Sequence, residues 1–308
     1  MNRTVNTMAD HSTAGGDSEA QAIDDDALRA WPLPSLDEEG DKEARGLAVI
    51  VAGSVQVPGA ALLAAQAALR AGAGKVVIAT VREAAMALAL AVPEARVVGL
   101  PSTPEGGIDP DGAALLEFCL GRARTLLIGP GMLDERASCD LARRLCQRYP
   151  ELPIILDAAA IPAADPPLPE TAAVLITPHA GEMAHLAGVP KDAVLADPRG
   201  TARATAARLQ ALVALKGANT FIAHPDGRIW QHQASVVGLA TAGSGDVLAG
   251  LMAGFAARGA PLEQAAAWGV AVHARAGLRL AERRGRVGYL ASELAAEAPA
   301  VVQGLMPD

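Results

Sequence analysis

The sequence predicts an α/β fold with a central, mostly parallel sheet flanked by helices on both faces. Two observations carry this. Short runs of β-branched and aliphatic residues alternate along the chain with longer Ala-rich stretches of helical period. The short runs are continuously apolar, the signature of strands covered on both faces. Composition agrees: 51% of the residues are hydrophobic and only 3% aromatic, so the apolar mass is Ala, Val and Leu, which suits helices packed closely on a sheet.

In chain order, residues 1–25 are small, polar and acidic and are expected to form a disordered acidic tail. One domain is expected over residues 26–308. Strands are predicted at 47–52 (LAVIVA), 75–80 (KVVIAT), 125–128 (TLLI), 153–156 (PIIL), 173–177 (AVLIT) and 213–216 (VALK). Helices are predicted between them, among them 59–71, 134–149 and 198–209. Residues 220–223 and 228–232 flank Pro225-Asp226-Gly227, which predicts a hairpin near one sheet edge. The last third reads as helices at 244–258, 261–284 and 291–302. Ligands of open α/β sheets bind beyond the carboxyl ends of the strands. Gly53-Ser54, Gly129-Pro130-Gly131, Asp157 and Pro178-His179 each follow a predicted strand, so they are expected to line one crevice.

Net charge is −8, but residues 1–45 hold 11 acidic and 4 basic side chains and account for −7 of it. The remaining body is almost neutral and lacks the basic surplus that nucleic-acid binding requires. No apolar run reaches the roughly 20 residues of a membrane span, and the first residues lack a signal-peptide core. A cytoplasmic protein is expected. Cys119, Cys139 and Cys146 make an odd count with no CxxC pair, so they read as reduced, buried apolar residues.

Four motifs carry candidate chemistry. In GLATAGSGDVLAG (238–250), glycines flank Ser244 where a helix begins. Unpaired N–H groups and the dipole make such a start an anion cradle from Ala242, Gly243, Ser244 and Gly245. Asp246 in the first turn is then placed to accept a proton from a hydroxyl attacking a phosphoryl group; a plain Gly-rich helix cap is the other reading. Lys216, Gly217, Ala218, Asn219 and Thr220 form a turn after a strand, which holds a nucleotide phosphate or is a simple turn. In TPHAGE (177–182), His179 and Glu182 are candidates for substrate or hydrated-metal contacts; with His185 they lack HExxH spacing, so zinc is not expected. Gly53-Ser54 followed by Pro58-Gly59-Ala60 admits a ligand or is a tight crossover. His11, His185, His224, His232 and His273 are assigned to surface or packing roles, and Trp31, Trp230 and Trp268 to packing.

Taken in order, VPGAALLAAQAALRAGAGKVVIAT (57–80), IGPG (128–131), ITPHAGEM (176–183), LKGANTFIAHPDG (215–227) and GLATAGSGDVLAG (238–250) resemble the ADP/ATP-dependent NAD(P)H-hydrate dehydratases, a ribokinase-like family of nicotinamide-nucleotide repair. The resemblance runs from about residue 33 to the C-terminus. It implies dehydration of the S-epimer of NADHX or NADPHX, with ADP or ATP as co-substrate and Mg²⁺. By position it implies that Ala60, Gly131, His179 and Asp246 contact the hydrated dinucleotide. Lys216, Gly217, Ala218, Asn219, Thr220 and Gly245 would contact the adenine nucleotide, with Glu182 as a candidate partner of the metal's water shell.

The resemblance also implies a homo-oligomer, with a tetramer among the forms it admits, and an epimerase on a separate chain. Three departures stand out: HQASVV (232–237) replaces the family's usual NPTGN segment, LDAAAIP (156–162) its LDADALN, and Asp41-Lys42-Glu43 its His-Lys-Gly. They touch substrate contacts and nucleotide preference but leave Asp246 in place. A small-molecule alcohol kinase of the same superfamily is the alternative function, since it would use the same loop; a silent nucleotide-binding protein is the third.

Overall fold

A computed structural model describes residues 19–35, 42, 43, 45–169 and 172–306. The expected runs and hairpin become eight of ten strands, with β1 and β4 beyond the expectation: β1 Gln21–Ala22, β2 Leu47–Val51, β3 Lys75–Val81, β4 Arg96–Leu100, β5 Thr125–Ile128, β6 Ile154–Leu156, β7 Val174–Ile176, β8 Leu212–Leu215, β9 Asn219–Ala223 and β10 Ile229–Gln233. They form one sheet in the order β1-β10-β9-β8-β7-β6-β5-β2-β3-β4. β2 through β8 pair in parallel, and β9 runs antiparallel between β8 and β10. Every residue of β5, β6 and β8 is buried. Successive side chains point to opposite faces, so both faces are covered.

The helix Gly59–Arg70 packs on the helix Ser244–Ala257, and small residues make that contact close. A Cβ on Gly250 would lie 2.3 Å from the Ala64 carbonyl, and one on Gly254 2.5 Å from that of Ala68. No larger side chain fits there without moving a helix. This contact fixes the start of the second helix, at Ser244, against the first. The helix Leu262–Arg284 also packs on Ser244–Ala257. On the hairpin side, Asp197 caps Pro198–Leu209 by accepting from Gly200 N at 2.8 Å, with Pro198 in the first turn, the arrangement that starts a helix cleanly.

Residues 1–18 of the expected disordered tail lie outside the described residues. The rest of that expectation is corrected: residues 19–25 are ordered. Ile23 is buried, its N–H donates to the Gln231 carbonyl at 2.8 Å, and Asp24 caps the following helix. Composition averaged over 25 residues hides one well-anchored isoleucine. The apolar core runs continuously from Ile23 to Leu305. All three cysteines are buried and unpaired, and burial pushes the Cys146 thiol up to about 12, which leaves it unreactive.

Candidate active site

The carboxyl ends of the strands lie near one another, but of the residues expected to line one crevice only His179 lines the cleft described below. Gly53, after β2, donates from its N–H to the Pro130 carbonyl after β5 at 2.7 Å. A Cβ on Gly131 would lie 2.4 Å from that of Ala60, so these two positions are in contact. Lys216, after β8, donates its N–H to the Pro178 carbonyl at 2.8 Å and sits beside His179 in a parallel bridge. Asp157, after β6, is 3% exposed.

The helix Ser244–Ala257 begins without a side-chain cap. Gly243 holds φ at +85°, where a Cβ would strain the backbone and also meet Leu63 at 2.5 Å. The N-cap position is Gly243, which has no side chain, and the Oγ of Ser244 lies 3.0 Å from His273 Nε2. The N–H groups of Gly245 and Asp246 make no hydrogen bond with other described residues. Open donors and the dipole thus face the same point.

Charge is concentrated there. Asp157 Oδ1 accepts from Thr177 Oγ1 at 2.6 Å and from Lys216 Nζ at 2.9 Å. A Cβ on Gly245 would lie 3.7 Å from Lys216 Nζ, so the ammonium stands at the helix mouth. Burial works against that charge, but Asp157, Glu182 and Asp246 together hold the Lys216 pKa above the ordinary lysine value. Burial, then the like charge of Asp157, pushes Asp246 up to about 6, with Lys216 pulling the other way. The helix-start argument predicts a carboxylate at pH 7. Burial moves the carboxyl the other way and brings its proton affinity close to neutral, the range suited to a general base.

His179 caps the helix Ala180–Ala187. Its Nδ1 accepts from Gly181 N at 2.9 Å and Glu182 N at 3.2 Å, and Glu182 Oε2 accepts from His179 N at 2.7 Å. TPHAGE is therefore a capping box in which the histidine replaces the usual hydroxyl residue. Because Nδ1 accepts, the ring proton sits on Nε2. That nitrogen is 3.7 Å from Glu182 Oε1, and the His179 side chain is 60% exposed. Among the described residues no group of three or more His, Cys, Asp or Glu is arranged to hold a metal.

A cleft of about 690 Å³ opens beside the helix start. His179, Lys216, Gly217, Ala218, Thr220, Ser244 and Gly245 line it, and Asn219 does not; Asn219 is exposed and begins β9. Ala60, Gly131, Glu182 and Asp246 also lie off its lining. Asp246 Oδ2 would be 3.9 Å from a Cβ on Gly243, the same position that faces Leu63. The helix start thus stands between the cleft and the region of Ala60 and Gly131. His232 and His273, assigned to packing or surface roles in the sequence, both line the cleft. The hairpin register pairs His232 with Thr220, a signal present in the sequence once the hairpin is drawn. Nothing local marks His273, which meets Ser244 across 29 positions.

A family model described as NAD(P)H-hydrate dehydratase matches residues 48–300. The chain belongs to the NAD(P)H-hydrate dehydratase family. It is 48% identical to the ADP-dependent (S)-NAD(P)H-hydrate dehydratase of Xanthomonas campestris pv. campestris, over 91% of this chain and 95% of that one. The bifunctional NAD(P)H-hydrate repair enzyme of Moorella thermoacetica is 37% identical over 90% of this chain, which spans only 53% of that longer protein. Among solved structures, the ADP/ATP-dependent NAD(P)H-hydrate dehydratase of Bacillus subtilis, co-crystallised with ATP/Mg²⁺, superposes with a TM-score of 0.82 at 31% identity, covering 93% of this chain and 99% of that one. A ribokinase-like superfamily protein from Enterococcus faecalis gives 0.80 at 26% identity, with 93% and 96% of the two chains covered. The fold of this NAD(P)H-hydrate dehydratase family member is therefore ribokinase-like. None of its described helices is long and apolar enough to cross a membrane.

Proposed function

We propose that the protein is an ADP- or ATP-dependent dehydratase that returns the S-epimer of NADHX or NADPHX to NADH or NADPH. One observation carries the reading: Asp246 stands beside open N–H donors at an uncapped helix start, with the Lys216 ammonium at the mouth. Hydroxide is a poor leaving group and phosphate a good one, so a site that phosphorylates a hydroxyl can drive dehydration. The nucleotide occupies the cleft along Lys216, Gly217, Ala218, Thr220 and Gly245, with Asn219 at its rim. The hydrated ring lies past the helix start, towards Ala60 and Gly131, with His179 reaching it from the edge of the cleft.

Asp246 takes the proton of the ring hydroxyl, whose oxygen attacks the terminal phosphoryl group of the nucleotide. The N–H groups of Ala242, Gly243 and Gly245 are the donors for the charge that builds there, whereas that of Ser244 is held by the Thr241 carbonyl at 3.2 Å. The ring nitrogen's lone pair then expels phosphate, and loss of a proton from the neighbouring carbon restores the double bond.

Mg²⁺ fits as a cation held mainly by phosphates and water. Glu182 accepts the capping bond through Oε2, which leaves Oε1 to face the water shell of such an ion. When bound, it neutralises phosphate charge. A homo-oligomer, a cytoplasmic setting and an epimerase acting on the other epimer complete the proposal.

The test incubates purified protein with NADHX and either ADP or ATP. Recovery of dihydronicotinamide absorbance with matched phosphate release is expected. Accumulation of a stable phosphorylated product without that recovery would instead mark a small-molecule kinase.

A further inference from the structure

We propose that His232 determines base specificity: its Nε2 accepts a hydrogen bond from the exocyclic amino group of adenine. This rests on the nucleotide reading above and names a residue outside both of its motifs. Side chains alternate along β10, so Trp230 and His232 share a face. Trp230 stacks on Trp31 with ring centres 6.0 Å apart. The Trp31 carbonyl in turn accepts from Trp268 Nε1, on the helix Leu262–Arg284, at 2.9 Å. That face therefore looks towards this helix, and the cleft lies between them. The cross-strand pairing with Thr220 sets the His232 ring beside the turn that begins at Lys216.

The His232 residue is 8% exposed, and its Nδ1 lies 2.8 Å from the Ile23 carbonyl. A carbonyl only accepts, so Nδ1 carries the proton and the neutral ring presents a lone pair at Nε2. Burial lowers the pKa of this histidine, which keeps the ring neutral at pH 7. Nε2 makes no hydrogen bond with the described residues. An acceptor that lines the cleft without a partner among the described residues is free to take a donor from a bound ligand. Adenine supplies one at its 6-amino group; guanine carries a carbonyl oxygen at that position, which would set lone pair against lone pair. The apolar walls at Leu239, Leu248 and Val270 suit a flat base.

Two variants separate the two nitrogens. His232→Asn places an amide N–H where Nδ1 stands, so it keeps the Ile23 bond and has nothing at Nε2. His232→Gln reaches the Nε2 position with an amide oxygen. KM for ADP and for GDP is measured with NADHX, after thermal shift has established ADP binding to the wild type. His232→Asn is expected to raise the KM for ADP about 3- to 10-fold with kcat little changed, the loss of one buried hydrogen bond, and to narrow the preference for ADP over GDP by the same factor. His232→Gln is expected to retain most of that preference. In ¹⁵N-labelled wild type, the His232 Nε2 resonance is expected to move with ADP and to stay in place with GDP. An ADP preference unchanged in His232→Asn, or an Nε2 resonance indifferent to bound ADP, overturns the proposal. If the wild type binds no ADP at all, the nucleotide reading falls as well, so the two failures are distinguishable.

Discussion

Lys216 Nζ lies 2.9 Å from Asp157 Oδ1, joining the ends of β8 and β6 across the intervening β7. The two side chains are 20% and 4% exposed. Removing one partner of a buried pair leaves the other charge uncompensated. Asp157→Ala is expected to lower unfolding stability by about 3 kcal/mol, measured by urea denaturation at pH 7. Asp157→Asn keeps a partner for Thr177 and is expected to lose less. Its charge no longer opposes that of Asp246, so the acidic limb of kcat/KM is expected to move to lower pH.

Asp246 gives the wild type a pH signature. Its carboxyl is pushed up to about 6, first by burial and then by Asp157, so kcat/KM is expected to fall as pH drops through about 6. The same shift acts on stability with a definite sign. The folded value is raised above the unfolded one, so ionisation opposes folding, and the penalty grows from about pH 4 to pH 6 and persists above. Asp246→Asn is expected to melt higher than wild type at pH 8, with the gap closing below pH 4.

The Lys216 ammonium provides a test of the nucleotide side. Lys216→Ala is expected to weaken ADP binding about 10- to 100-fold, the range for a hydrogen bond to a charged group, read as a reduced thermal shift with ADP and Mg²⁺. EDTA is expected to abolish turnover, and added Mg²⁺ to restore it.

His179 serves the helix it caps as well as the substrate. His179→Ala is expected to lower stability by about 1 kcal/mol through the lost cap. If the outward Nε2–H only positions the dinucleotide, the KM for NADHX rises more than kcat falls.

These residues also show how far the sequence alone reaches. The helix Pro198–Leu209 carries its own start signal in Asp197 and Pro198, and the hairpin its own turn in Pro225-Asp226-Gly227. The glycines around Ser244 mark a helix start in the sequence, and the structure shows that start to be without a side-chain cap. By contrast, β1 is a two-residue strand, Gln21–Ala22, with no β-forming signal of its own. It is held by Ile23, whose carbonyl meets His232 across 209 positions. Asp157 and Lys216 are 59 positions apart, so their pairing, and hence the proton affinity of Asp246, depends on sheet order. Local patterns carry helix starts and turns; contacts between distant strands decide which polar groups share the site.

The turnover number of Asp246→Asn, measured with NADHX and saturating ADP, tests the proposed chemistry most directly. Asparagine preserves size but accepts no proton from the hydroxyl at neutral pH. A loss of about 100- to 10,000-fold or more is expected, the usual worth of a general base, with the ADP-induced thermal shift unchanged. A kcat within a few-fold of wild type would contradict the assignment of Asp246 as the base and leave only nucleotide binding at this site.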